Sequence, residues 1–184
     1  MTGYEKIWGV AEDNFGIITS AKARELGVCK QSMVAMEKSG RLVRLGHGVY
    51  QLTHHVPGPN DVYAVSVAVA GADAYLRGAS VLYMLNLTPA NPSVVYVGTP
   101  HRVRRRFPQG YRLKQNAPCE PVEYEGYEGI KCQRLVDALA TAKKDGEVEA
   151  DRIEDAANAA NMKGLISDEE CAQFKSRYAR LFRA

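Results

Sequence analysis

The chain has 184 residues, 46% apolar and 24% charged, which is ordinary globular usage and excludes a disordered, collagen-like or long coiled-coil chain. That length suits one large domain or two small ones, at roughly 100–200 residues each. Net charge is only +3, but residues 22–47 hold six cations against two acids, residues 101–114 hold six cations and no acid, and residues 145–170 hold nine acids against two cations.

In chain order, residues 4–11 predict a helix broken at Asn14-Phe15-Gly16. Ile17 and Ile18 lead to Thr19-Ser20, hydroxyl residues suited to cap a helix over 21–26. Gly27 can end that helix in the left-handed conformation. A further helix over 30–39 stops at Gly40, and residues 41–45 and 49–52 are short strand-like runs. Gly46-His47-Gly48 between them signals a hairpin, because glycine supplies positive φ. Helix, helix, turn, helix and hairpin is the layout of a winged helix-turn-helix.

The helix over 30–39 divides into faces. Met33 and Met36 lie three apart and could pack on Ala23, Leu26 and Leu42. At about 100° per residue, the opposite face carries Gln31 and Lys38, flanked by Val34 and Ala35. Gln can bond an adenine edge and Lys a guanine or a phosphate. An ordinary amphipathic helix whose polar face meets only water has the same periodicity.

Thr53-His54-His55-Val56-Pro57-Gly58-Pro59-Asn60, with two prolines and a glycine, reads as a linker. The expected organisation is a winged helix at 1–53, a linker at 54–60 and an α+β domain at 61–184. Beyond the linker, residues 61–70 fit either a helix or a buried strand, with helix favoured; a helix is predicted over 79–87, and strands over 93–98, 111–114, 122–125 and 129–133. Three helices follow over 135–144, 149–160 and 168–183, the last capped by Ser167. Strands followed by helices point to an α+β fold. His101-Arg102-Val103-Arg104-Arg105-Arg106 packs four arginines into five residues, a dense phosphate-binding candidate that equally fits an acidic protein surface.

Two sets of residues resemble the AbiEi-type antitoxins of bacterial type IV toxin–antitoxin systems. In the first part they are Gly16-Ile17-Ile18-Thr19, Glu25-Leu26-Gly27-Val28 and the run from Gly40-Arg41-Leu42 to Gly48-Val49-Tyr50. In the second part, the run from Arg77-Gly78-Ala79 to Leu85-Asn86-Leu87, Val94-Val95-Tyr96-Val97-Gly98-Thr99-Pro100, Gly129-Ile130-Lys131-Cys132 and Leu135-Val136-Asp137-Ala138-Leu139 resemble the family's C-terminal domain. The resemblance implies a repressor that binds inverted repeats of its own promoter as double-stranded DNA. It also implies an antitoxin that counters a nucleotidyltransferase-like toxin, which it need not touch.

The DNA-contacting set expected is Lys30, Gln31, Ser32, Val34, Lys38, Arg41, Arg44, His47, Arg102, Arg104, Arg105 and Arg106. A monomer or weak dimer is expected.

No enzyme is expected. Gly-x-Ser-x-Gly and GxxxxGK are absent, and Glu125, Glu128 and Lys131 lack the Glu-x-Lys spacing of a metal nuclease. Cys29, Cys119, Cys132 and Cys171 form no CxxC pair and the histidines no HExxH, so neither a metal nor a cofactor is expected. No apolar run approaches the roughly 18 residues of a spanning helix, and the N-terminus MTGYEKIWGVAED lacks a signal peptide's apolar core, so the expectation is cytoplasmic with no membrane partner. Two rival readings remain open: a protein-interaction module with a vestigial winged helix, and a nuclease using the hairpin carboxylates.

Overall fold

Thr2 starts the first helix. Its hydroxyl accepts from the Glu5 N–H at 3.3 Å while the Glu5 carboxylate accepts from the Thr2 N–H at 2.7 Å, the reciprocal bonds of a capping box. This helix, α1 (Gly3–Glu12), buries Ile7 and Ala11. The computed structural model describes residues 2–89, 94–101, 103, 110–115 and 124–178. Among these, eight helices and two sheets form a mixed α and β fold.

The described chain divides into two compact units, Met1–Ala72 and Asp73–Ala184. In the first, β1 (Ile17–Thr19) leads into α2 (Ser20–Glu25), where the Thr19 hydroxyl caps the Lys22 N–H at 3.1 Å. Gly27 is left-handed, at φ 75°, and ends α2. Then come α3 (Lys30–Lys38), β2 (Leu42–Gly46) and β3 (Val49–Leu52). The strands form an antiparallel sheet in the order β1-β3-β2, with Ile18 opposite Tyr50 and Leu42 opposite Leu52. Ile17–Thr19 was expected only as the approach to a cap, yet it pairs along β3. Ile7, Ala11, Ile18, Ala23, Val28, Met33, Met36, Leu42, Tyr50 and Leu52 make one buried cluster that joins α1, α2 and α3 to the sheet.

The expected domain boundary at 54–60 falls inside this first unit. The His55 ring bonds Asp61 at 2.5 Å, and Asp61 also accepts from the Gly58 N–H at 2.9 Å, so the segment is tied to the helix that follows it. That helix, α4 (Asp61–Ala70), packs back on the sheet: a Cβ on Gly46 of β2 would lie 3.2 Å from Val69. Pro and Gly content marks where a chain turns, and here it turns within one compact unit.

The second unit is built on a five-stranded mixed sheet, ordered β6-β5-β4-β8-β7. Its elements are β4 (Tyr75–Leu76), α5 (Ala79–Met84), β5 (Val95–Thr99), β6 (Tyr111–Gln115), β7 (Tyr124–Tyr127), β8 (Ile130–Gln133), α6 (Leu135–Lys144), α7 (Ala150–Met162) and α8 (Asp168–Tyr178). β4 and β8 are parallel, as are β5 and β6, while β4–β5 and β7–β8 are antiparallel. β4 has only two residues and carries no period of its own, so the sequence reading missed it. α5 stops at Met84, short of the expected 87, where the chain turns through Asn86 at φ 52°. The β7–β8 turn falls at Glu128-Gly129, both at positive φ, so β7 runs two residues past the expected end at 125, while residues 122 and 123 of the expected strand lie outside the described residues. Ser167 caps α8 as anticipated, accepting from the Glu170 N–H at 3.1 Å. Tyr75, Leu76, Leu82, Leu135, Leu139, Ile153 and Phe174 are the large side chains at the centre of this unit.

Candidate nucleic-acid interface

α3 turns Met33 and Met36 into the core of the first unit, at 1% and 9% exposure. Gln31 and Lys38 are exposed on its opposite face, and Lys30, its first residue, is also exposed. Val34 and Ser32 are half-buried, and the Ser32 hydroxyl lies 3.2 Å from the exposed Cys29 thiol. That hydrogen bond draws the Cys29 thiol below its ordinary pKa.

Arg41 and Arg44 are exposed, but each has a local engagement the sequence does not reveal. The Arg41 guanidinium sits 5.4 Å from the Tyr4 ring centroid, a cation–π contact that turns it toward α1. Arg44 donates from Nε to the Gly46 carbonyl at 3.2 Å. His47 is exposed in the turn before left-handed Gly48. Lys22 and Arg24 are exposed on α2, where Lys22 pairs with Glu25 at 3.0 Å.

Arg102, Arg104, Arg105 and Arg106 lie outside the described residues, as does Cys119. Of the remaining cations in that basic segment, Arg112 is exposed on β6. Lys114 is committed to Asp145, at 2.6 Å. Asp145 also accepts from Arg77 at 2.8 Å. Burial works against ionisation of Asp145, but Lys114 and Arg77 outweigh it and hold the carboxyl below its usual range. Two residues on, Glu147 accepts from the Ala79 N–H at 2.9 Å, and burial pushes its carboxyl up. The acidic segment therefore starts with two carboxylates that tie the α6–α7 connection to the start of α5. Charge counting missed both, because their partners lie far away in sequence.

The carboxylates considered for a nuclease diverge. Glu125 accepts from the Tyr127 hydroxyl, Glu128 is exposed in the turn, and the Lys131 ammonium sits 4.2 Å from the Tyr124 ring centroid. Cys132 is buried and its thiol is pushed up to about 12 by desolvation. Among the described residues no group of three or more His, Cys, Asp or Glu side chains could hold a metal ion, and no helix is long and apolar enough to cross a membrane.

The stretch that carries α2, α3 and the β2–β3 hairpin is also where the chain is similar to a known family. A family model described as "Transcriptional regulator, AbiEi antitoxin" matches residues 10–53. None of the curated proteins matches the chain. Among solved structures, the RV2827C protein from Mycobacterium tuberculosis is similar at 14% identity and a TM-score of 0.47, over 96% of this chain and 72% of that one.

Proposed function

We propose that the protein is a DNA-binding transcriptional repressor of the AbiEi antitoxin type, with residues 1–53 acting as a winged helix-turn-helix. α3 is its recognition helix and the Gly46–Gly48 turn its wing tip. It binds inverted repeats in its own promoter as a monomer or weak dimer in the cytoplasm, without a cofactor. The second unit carries the antitoxin role against a nucleotidyltransferase-like toxin, with no catalysis of its own. The observation that carries this reading is the division of α3. Met33 and Met36 anchor it from within, leaving Gln31 and Lys38 exposed beside a hairpin that bears Arg44 and His47. A recognition helix needs that division, with hydrogen-bonding and cationic side chains free to reach base edges and phosphates.

A gel shift on the protein's own promoter DNA across a salt series tests it. Gln31→Ala should lose about 1–3 kcal/mol at one base position and relax sequence preference there. Lys38→Ala should weaken binding to all DNA alike and reduce the salt slope by about one unit. If both variants bind as tightly as the parent, α3 is not the recognition helix.

A further inference from the structure

We propose that α3 selects A·T base pairs by apolar contact: Val34 and Ala35 form a methyl-lined step that receives the C5-methyl group of thymine, with Gln31 beside it on an adenine edge. The inference rests on the reading of α3 as a helix in the major groove.

The exposed face of α3 is where this begins. At about 100° per residue, Gln31, Val34, Ala35 and Lys38 share one face, centred opposite Met33 and Met36. Glu37, the acid of this helix, is turned about 110° away from that centre. The face is thus cationic at one end, amide-bearing at the other, and saturated hydrocarbon between. Ala35 is exposed and Val34 half-buried. Val34 is not among the half-buried side chains packed on the cluster around Met33 and Met36, which among the described residues are Tyr4, Trp8, Val10 and Leu26. Valine is also a weaker helix former than the alanine, glutamate or lysine an idle surface position favours. Neither helix formation nor the cluster around Met33 and Met36 calls for its methyl groups.

Groove chemistry supplies a complement. Every base pair presents donors and acceptors in the major groove, but thymine alone of the four bases adds an apolar group there. A hydrocarbon step facing unmodified DNA has that single matching partner. Gln31 reaches the same kind of pair from the other strand, because its amide matches the N6 and N7 of adenine. Gln31 and Ala35 are one helical turn apart, about 5.4 Å. Base steps rise about 3.4 Å, so the two side chains address pairs one or two steps apart. The face thus fits a short A·T run, with Lys38 a further turn on toward the phosphates.

The test uses the full chain. A pool of random DNA duplexes is selected for binding, and each thymine of the recovered site is then replaced, one at a time, by deoxyuridine. That exchange removes one methyl group and leaves every hydrogen-bonding group in place. At one position the parent should bind roughly fourfold more weakly, the effect of one methyl group leaving water. A Val34→Ser, Ala35→Ser double variant should bind thymine and uracil duplexes alike at that position and keep the parent's salt slope. A recovered site where no uracil exchange weakens the parent, with sequence-specific binding intact, overturns the inference and leaves the DNA-binding reading standing. A pool that yields neither a preferred sequence nor salt-dependent binding overturns both. The thymine-to-uracil comparison needs no variant, so it holds even if the double variant folds poorly.

Discussion

Arg44 donates from Nε to the carbonyl oxygen of Gly46, 3.2 Å away, across the point where the β2–β3 register shifts. The bond braces the hairpin turn and fixes the stem of the arginine, while the residue stays exposed. A guanidinium has five N–H donors, and this bond uses one of them. In the proposed reading, where this turn is a wing tip, the arrangement would suit a narrow minor groove, where negative potential is concentrated. The partner that holds the Arg44 stem is thus a backbone oxygen two residues along the chain.

From this follows the first prediction. The Arg44→Ala, His47→Ala double variant should bind promoter DNA more weakly while losing only about 0.5–1.5 kcal/mol of stability, the net effect of one hydrogen bond. Titration against labelled DNA at fixed salt, paired with a thermal melt, checks both halves. A clearly lowered melting temperature with unchanged affinity would assign Arg44 to bracing alone.

The second prediction concerns pH. Glu147 has a raised carboxyl pKa in the fold, so the folded state holds its proton more tightly than the unfolded chain. Its contribution therefore falls as pH rises from about 4.3 through the folded value, and the ionisation penalty persists at neutral pH. Asp145 runs the other way: its lowered pKa gives stability present above about 3.9 and lost as pH falls through the folded value. Glu147→Gln keeps an acceptor for the Ala79 N–H and removes the penalty. It should melt at or above the parent at pH 7, with a flatter profile between pH 4 and 8. Glu147→Ala leaves that N–H without its acceptor and should cost about 1–3 kcal/mol. Urea denaturation of both variants across that range decides it. A Gln variant less stable than the parent at pH 7 would mean that the ionised carboxylate is favourable on balance.

The third prediction concerns the limits of the first unit. The fragment 1–72 should melt cooperatively, whereas 1–56 should be less stable or unfolded. The shorter fragment loses Asp61, the partner of His55, and the Val69 side chain that lies over Gly46. Calorimetry of the two fragments reads this directly. Equal melting temperatures would show that α4 adds nothing to the first unit.

The sequence was most legible where local chemistry decides the structure. Gly27, Gly40 and Gly48 all take positive φ where the reading needed a helix end or a turn, and the faces of α3 follow from its period. It was least legible where a distant partner decides. β1 is a strand because β3 lies beside it, and β4 because β5 and β8 flank it. The residues of α4 fit a helix or a buried strand, with helix favoured, and nothing in them says which unit the element packs on. The candidate interface divides in the same way. The exposure of Gln31 and Lys38 follows from helical spacing, whereas the engagement of Arg41 with Tyr4 and of Lys114 with Asp145 depends on contacts across the fold.

The last prediction concerns Arg102, Arg104, Arg105 and Arg106. The basic surface of the first unit is modest: residues 22–47 carry six cations against two acids, and Lys22 already pairs with Glu25. The proposed repressor would gain grip from further phosphate contacts, and the arginine run is the densest source of positive charge in the sequence. If all four side chains meet phosphates, the slope of log affinity against log salt should steepen by about 0.9 for each, or about 3.6 in total. Replacing the four with alanine should remove that increment and leave sequence preference intact, because phosphate contacts position a protein without reading bases. Arg112 is the internal control: it is exposed on β6 in the same basic segment, so Arg112→Ala should change the slope by at most about one unit. Salt titrations of the parent, the four-alanine variant and Arg112→Ala on one duplex separate the readings. Equal slopes for the parent and the four-alanine variant would take the run out of the DNA interface and assign it to an acidic protein surface.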